Sequence, residues 1–169
     1  MDMRPIGVFD SGLGGLTAVR SLREILRSEN LVYFGDTARV PYGGRGRETI
    51  LRYARQDVAF LRTFDLKAIV IACGTVSANA LAELQEENDL PIFGVVEPAA
   101  KAAVEATQKG KVGLIATAAS IRSGAYEREI GALNAAVTVA AEACPLFVPL
   151  VEEGLLEDPV TDEIARRYL

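Results

Sequence analysis

The feature that most constrains the fold is a continuous apolar run, residues 68–72, that stops at Cys73. Small and hydroxyl-bearing residues follow the cysteine, and a helix-like pattern begins after them. A parallel β-strand that is buried on both faces has this composition, and α/β proteins place their chemistry at the carboxyl ends of such strands. The run therefore predicts a parallel sheet with Cys73 at its functional edge.

Apolar runs of strand length alternate with amphipathic segments along the whole chain. This alternation is typical of the α/β class, in which parallel sheets are flanked by helices. We predict strands at residues 6–9, 31–35, 68–72, 91–95, 111–116 and 136–142. We predict helices at residues 16–26, 47–64, 79–88, 97–108, 117–133, 148–155 and 160–169.

A strand followed by a hydroxyl-rich loop and a helix occurs at Asp10, Cys73 and Thr117, so the two halves of the chain are coarsely similar. We predict two similar α/β domains, residues 1–96 and 97–169. The second is expected to be incomplete, because two strands are few for an independent domain. The last predicted helix has no capping signal, so we also expect the chain to continue in a fuller form of the protein.

Composition excludes several classes of function. The chain has 18 Lys and Arg against 23 Asp and Glu, a net charge of −5, and no basic patch for nucleic acid. No apolar run reaches membrane-spanning length, and the first residues lack the apolar centre of a signal peptide. The absence of histidine excludes Ser-His-Asp and Cys-His catalysis within this chain.

The cysteines, Cys73 and Cys144, are too few and too far apart for a disulfide framework or a metal site, so we expect no metal and a cytoplasmic, reducing setting. Cys144 lies among apolar neighbours and is predicted to be structural. For Cys73, a buried packing role is the alternative to a reactive one. A reactive role is favoured by the helix N-terminus expected there, which lowers a thiol pKa.

Other polar motifs also allow two interpretations. The segment Asp10–Gly15 suits a carboxylate or a single phosphate, or it is a tight turn between strand and helix. The segment Pro41–Gly44 is a ligand loop or a surface turn. Thr117 contacts a ligand or caps a helix, and Glu152 faces the crevice or ends a solvated helix.

Four motifs occur in order at family-like spacing, and together they resemble the glutamate racemase family of the cofactor-independent aspartate/glutamate racemase superfamily. The motifs are Asp10–Gly15, Pro41–Gly43, Ile71–Thr75 and Ala143–Gly154. The resemblance implies interconversion of L- and D-glutamate, which supplies D-glutamate for peptidoglycan and so for cell-wall biogenesis and cell shape. It implies no cofactor, two catalytic cysteines on opposite faces of the α-carbon, and two α/β domains with a C-terminal return to the first.

The resemblance also implies roles for single residues. Cys73 matches the base that acts on D-glutamate, Asp10 matches a carboxylate that assists it, and Glu152 matches an acid on the other side of the site. The substrate contacts implied are Ser11, Pro41, Tyr42, Gly43, Gly74, Thr75 and Thr117. The expected partner is glutamate, with a homodimer allowed and neither nucleic acid nor membrane involved.

The sequence departs from the family at Gly74, where asparagine is usual, and at Val76, where alanine is usual. The family's second cysteine lies in a Gly-Cys-Thr-His segment that the chain lacks, and Cys144 does not match it. We therefore expect the 169 residues to be an N-terminal part that cannot racemise alone. The alternatives are a racemase for aspartate or another acidic amino acid, and a non-catalytic binding protein of the same fold.

Overall fold

A computed structural model describes residues 2–169 and contains two parallel sheets with helices packed around them. The strands are β1 Ile6–Asp10, β2 Leu31–Gly35, β3 Ala68–Ile71, β4 Ile92–Phe93, β5 Lys111–Ala116 and β6 Thr138–Ala143. The helices are α1 Leu16–Ile25, α2 Arg47–Leu61, α3 Gly74–Glu86, α4 Val96–Ala106, α5 Ala118–Ser123, α6 Ala125–Leu133, α7 Phe147–Glu152 and α8 Pro159–Tyr168, with a 3-10 turn at Arg62–Phe64.

The first sheet has the order β2-β1-β3-β4, and the second pairs β5 with β6. All pairs are parallel, which confirms the predicted fold class. The register sets Phe9 beside Ile71, so β1 and β3 end at the same edge. The division of the chain at residues 96 and 97 stays a prediction.

Each sheet has its own apolar core. Ile69 and Ile71 of β3 are fully buried between α2 and α3, where Ile50, Leu61 and Leu84 pack against them. A smaller cluster of Ala100, Ile130 and Val137 supports the second sheet. Burial of one such aliphatic side chain contributes roughly 1.5–3 kcal/mol, so the first core supplies most of the stability.

Three predicted elements differ from the structure. Helix α3 begins at Gly74 rather than residue 79, because the Cys73 side chain caps it and accepts a hydrogen bond from the Val76 N–H at 3.5 Å. The fourth strand is only Ile92–Phe93, since the chain bends at Val95 and α4 begins at Val96. The helix predicted over 117–133 breaks at Gly124, which has φ +64°.

Within residues 2–169, no helix has both the length and the apolar character that a membrane span requires.

Candidate active site

The carboxyl ends of β1 and β3 open onto a cavity of about 370 Å³. Strand β1 lies between β2 and β3, so the chain leaves the sheet centre in opposite directions, and α/β folds bind ligands at such a point. The far wall comes from the end of β5 and from α5, α6 and α7. The predicted site residues that line it are Asp10, Ser11, Cys73, Gly74, Thr75, Thr117 and Glu152.

Cys73 lies at the floor of this cavity, with only 4% of the residue exposed. Its sulfur is 3.2 Å from the Ser11 hydroxyl, at the carboxyl end of β1. It also faces the N-terminus of α3, where free backbone N–H groups favour negative charge. The position at the sheet edge is the one predicted from the apolar run.

Asp10 is held in place by the backbone of the turn between β1 and α1. Its carboxylate oxygens accept hydrogen bonds from the N–H groups of Ser11 and Gly15, both at 2.8 Å. A Cβ at Gly15 would lie 2.6 Å from the Cβ of Asp10, so only glycine allows this close approach. The glycine-rich motif therefore fixes a carboxylate beside the thiol.

Burial and the negative charge of Asp10 raise the pKa of Cys73 to about 11. The hydrogen bonds from Ser11 and Val76 act in the opposite direction and are outweighed. The lowered thiol pKa expected from sequence is therefore wrong for the chain without a ligand. Burial together with Asp10 and Glu152 likewise raises the pKa of Tyr33 to about 12, which reflects the negative charge around the cavity.

Hydroxyl groups join the two walls of the cavity. The Thr75 hydroxyl lies 2.9 Å from that of Thr117, which in turn lies 3.0 Å from that of Ser120. Thr117 also caps α5, because its oxygen accepts a hydrogen bond from the Ser120 N–H at 3.4 Å. Thr117 therefore caps a helix and also lines the cavity, while its contact with a ligand stays a prediction.

Glu152 reaches the glycine-rich turn from α7. Its Oε1 accepts a hydrogen bond from the Leu13 N–H at 3.3 Å and lies close to Gly12. Glu152 thus faces the crevice. Cys144 is also buried, but it does not line the cavity, and its thiol donates to the Glu142 carbonyl at 3.8 Å.

The loop that carries Pro41, Tyr42 and Gly43 is represented in the cavity wall only by Val40. The Tyr42 side chain is a core residue, 1% exposed, and its hydroxyl bonds to Asp36 and Asp57. The loop instead joins the two halves of the chain. The Gly43 carbonyl accepts a hydrogen bond from the Ala119 N–H at 2.9 Å.

Several lining residues were missed from sequence. They are Tyr126 on α6 and Phe147, Val148 and Val151 on α7. The helix break at Gly124, which brings Tyr126 to the cavity, was the available signal. A separate groove of about 630 Å³ between α3 and α6 contains neither cysteine and none of the predicted residues, so we assign the site to the smaller cavity.

Fold and site together define a parallel α/β protein with a buried thiol and a fixed carboxylate at the edge of the first sheet. The sequence profile of the Asp/Glu/Hydantoin racemase family matches residues 6–168. The chain belongs to this family.

Curated relatives and a solved structure give the same assignment. The chain is 53% identical over 167 residues to the glutamate racemase of Thermus thermophilus, covering 98% of this chain and 61% of that protein. It is 48% identical over 164 residues to that of Aquifex pyrophilus, covering 97% and 64%. The glutamate racemase of Francisella tularensis, solved in complex with D-glutamate, superposes with a TM-score of 0.91 at 44% identity, covering 100% of this chain and 64% of that one. The chain thus spans less than two thirds of the length of these relatives.

Proposed function

We propose that this chain carries the D-glutamate side of a glutamate racemase site, with Cys73 as the base. The observation that carries the proposal is the Cys73 thiol beside Asp10 and Ser11 at the floor of a cavity lined by both halves of the chain. In the reaction the Cα–H bond breaks and an S–H bond forms at Cys73. A second group on the opposite face of the α-carbon then delivers a proton.

The charge of the substrate supplies the activation that the free chain lacks. Burial and Asp10 hold the Cys73 thiol protonated, since they raise its pKa to about 11. An amino-acid substrate brings an ammonium group, and a positive charge close to Cys73 and Asp10 favours the thiolate. The thiol is therefore expected to become a base only when the substrate is bound.

The carboxylates of the substrate require hydrogen-bond donors. We propose that the hydroxyls of Ser11, Thr75 and Thr117 and the N–H groups at the start of α3 supply them. Gly74 is the first residue of this helix, and only its backbone can contact the substrate. Pro41, Tyr42 and Gly43 are proposed to act indirectly, by setting the position of the loop that meets Thr117.

Glu152 is proposed to support the site from α7, on the wall opposite the first sheet. Its carboxylate contacts the turn that carries Ser11 and Asp10, so it links α7 to the residues around the thiol. Cys144 does not line the cavity, so we assign no second catalytic cysteine among the 169 residues.

The biological role that follows is supply of D-glutamate for peptidoglycan. We propose a cytoplasmic location, because a catalytic thiol needs a reducing compartment. We also propose a second copy of the chain as a partner, since both sheets of residues 2–169 have outer strands that are paired on one side only. Light scattering on the purified chain tests the homodimer.

Isotope exchange tests the assignment of Cys73. D-Glutamate is incubated in deuterated water with the purified chain, and loss of the α-proton signal is followed by NMR. We expect exchange without net inversion, loss of exchange in Cys73→Ala, and unchanged exchange in Cys144→Ala, the matched control with a buried thiol outside the cavity. Exchange that survives in Cys73→Ala would contradict the proposal.

The alternative substrate is aspartate or another acidic amino acid, and the alternative role is binding without chemistry. Parallel exchange assays with D-glutamate and D-aspartate separate the substrates. Calorimetric binding of D-glutamate without any exchange would support the binding protein. Departure from the family at Gly74 is the observation that favours this second candidate.

A further inference from the structure

Tyr126 enters the cavity from the wall opposite Cys73. It follows Gly124, whose left-handed φ of +64° turns the chain between α5 and α6. This turn directs the first residues of α6 toward the cavity, where the half-buried Tyr126 lines the wall. Neither the glycine-rich turn nor the cysteine segment predicts a residue at this place.

Gly74 and the side-chain hydroxyl of Tyr126 lie next to each other in the cavity wall. A Cβ built on Gly74 would lie 3.2 Å from the Tyr126 hydroxyl, which is tighter than ordinary van der Waals contact. Glycine therefore leaves room for the phenol at the N-terminus of α3, directly beside Cys73. A Cβ at position 74 would require the hydroxyl to shift by a few tenths of an ångström.

The Tyr126 hydroxyl is a neutral and available donor. Burial raises the pKa of Tyr126, and a Cys73 thiolate, when it forms, raises it further, so the phenol keeps its proton. Within residues 2–169 no protein group hydrogen-bonds this hydroxyl, whereas the hydroxyls of Tyr33 and Tyr42 are engaged. A half-buried phenol without a protein partner is positioned to donate to a ligand.

A substrate carboxylate in this cavity would require such a hydrogen-bond donor. Among the described residues that line it there is no lysine or arginine, so a carboxylate can be held only by hydroxyl and N–H groups. The hydroxyls of Ser11, Thr75 and Thr117, proposed above as donors, also contact Cys73 or one another. Among the described lining residues, the Tyr126 hydroxyl is the one without a protein partner, so it adds a donor to this set.

We propose that Tyr126 is a substrate-binding residue, whose hydroxyl donates a hydrogen bond to a carboxylate of the amino-acid substrate, and that Gly74 makes this contact possible. The inference rests on the proposed function and adds to it a contact from α6. It also gives the departure at Gly74 a physical reason, because glycine leaves the Tyr126 hydroxyl more room than a residue with a Cβ does.

Calorimetric titration with D-glutamate tests the contact in the full 169-residue chain. Tyr126→Phe keeps the ring and removes only the hydroxyl, so we expect Kd to rise by about tenfold or more, the value of a hydrogen bond to a charged group. Tyr53→Phe is the matched control, because Tyr53 packs on Tyr42 in the first core and does not line the cavity. Its Kd should equal that of the unsubstituted chain.

A double-substitution cycle tests the pairing with Gly74. Gly74→Ala should weaken binding by displacing the hydroxyl, and it should weaken it much less once Tyr126→Phe has removed that hydroxyl. If the two substitutions raise Kd independently, so that their fold-changes multiply in the double variant, the pairing is overturned. A merely structural role of either residue predicts this outcome. Unchanged Kd in Tyr126→Phe would overturn the contact while the proposed function stands, and no binding by the unsubstituted chain would overturn both.

Discussion

At Cys73, local hydrogen bonds from Ser11 and Val76 stabilise the thiolate, while burial and Asp10 disfavour it and prevail. Because the charge of Asp10 raises the thiol pKa, Asp10→Asn should lower it below about 11. The change can be measured as thiolate absorbance at alkaline pH in a Cys144→Ala background, where Cys73 is the only thiol. Loss of the signal in Cys73→Ala assigns it, and an unchanged midpoint in Asp10→Asn would show that the carboxylate does not act on the thiol.

Asp57 is a second residue whose charge conflicts with its environment. It is 1% exposed on α2, and burial together with the nearby Asp36 raises its pKa from 3.8 to about 6, although Tyr42 and Arg39 hydrogen-bond to it. The folded chain therefore holds this proton at pH values where the unfolded chain has lost it. The associated stability is complete below about pH 4 and is lost as pH rises through about 6.

Asp57→Asn removes this titration and keeps the shape of the side chain. The difference between the pKa values of Asp57 in the folded and unfolded chain corresponds to roughly 3 kcal/mol of pH-dependent folding free energy. The free energy of unfolding of Asp57→Asn, relative to the unsubstituted chain, should therefore rise by up to about 3 kcal/mol between pH 4 and 7.5. Urea unfolding at several pH values measures it. The exposed Asp65→Asn serves as control, and a difference independent of pH would contradict the prediction.

The positions of Cys73 and Asp10 could be predicted from the sequence, but the pKa of the Cys73 thiol could not. An apolar run and a glycine-rich turn are local signals, and they put both residues at the carboxyl ends of neighbouring strands. The thiol pKa depends on burial, and part of that burial comes from α6 and α7, which follow more than 50 residues later. Tyr126 was missed for the same reason, because its neighbour Gly74 is distant in the chain.

At the scale of single elements, Gly124, which precedes α6, and Gly131, inside α6, offer opposite tests. Gly124 has φ +64°, so Gly124→Ala should destabilise the chain by about 1 kcal/mol through backbone strain. Gly131 lies inside the helix, and a Cβ there meets nothing within 4 Å, so Gly131→Ala should stabilise by about 0.5–1 kcal/mol. Urea unfolding measures both changes, and shifts of equal sign would contradict the assignment of the helix break.

Element boundaries show what local pattern can and cannot predict. Strands β1, β2 and β5 and helix α1 lie close to their predicted bounds, because each is marked by its own periodicity. The start of α3 was missed because Gly74, Thr75 and Ser77 resemble a loop by composition. They are helical because their polar groups are satisfied within the fold, as when the Ser77 hydroxyl donates to the Ile71 carbonyl at 3.1 Å.

At the scale of the whole molecule, the candidate site exists only where the two sheets meet. The class of fold was predictable, since alternating strands and helices imply parallel sheets. The packing of α3 on α5 was not, because it depends on buried polar contacts between segments about 40 residues apart. Asn79 is the clearest example, for it lies on a helix whose sequence gives no sign of a partner.

Asn79 therefore offers a test of how the two halves are coupled. Its buried amide donates to the Thr75 carbonyl at 2.8 Å in its own helix and to the Ala119 carbonyl at 3.3 Å on α5. Asn79→Ala leaves the Ala119 carbonyl without this donor, and we expect a loss of about 1–3 kcal/mol. The amides of β5 and β6 should exchange with deuterium faster than in the unsubstituted chain, measured relative to those of β1 and β3.

Asn88→Ala is the matched control for this experiment. The Asn88 amide, just after the end of α3, also donates to a carbonyl of that helix, that of Leu84 at 2.7 Å, but none of its hydrogen bonds among the described residues reaches α5. Exchange in β5 and β6 should therefore be unaffected. Equal protection of the second sheet in the two variants would mean that the halves are held together by other contacts, such as the hydroxyl pair of Thr75 and Thr117, and that Asn79 stabilises only its own helix.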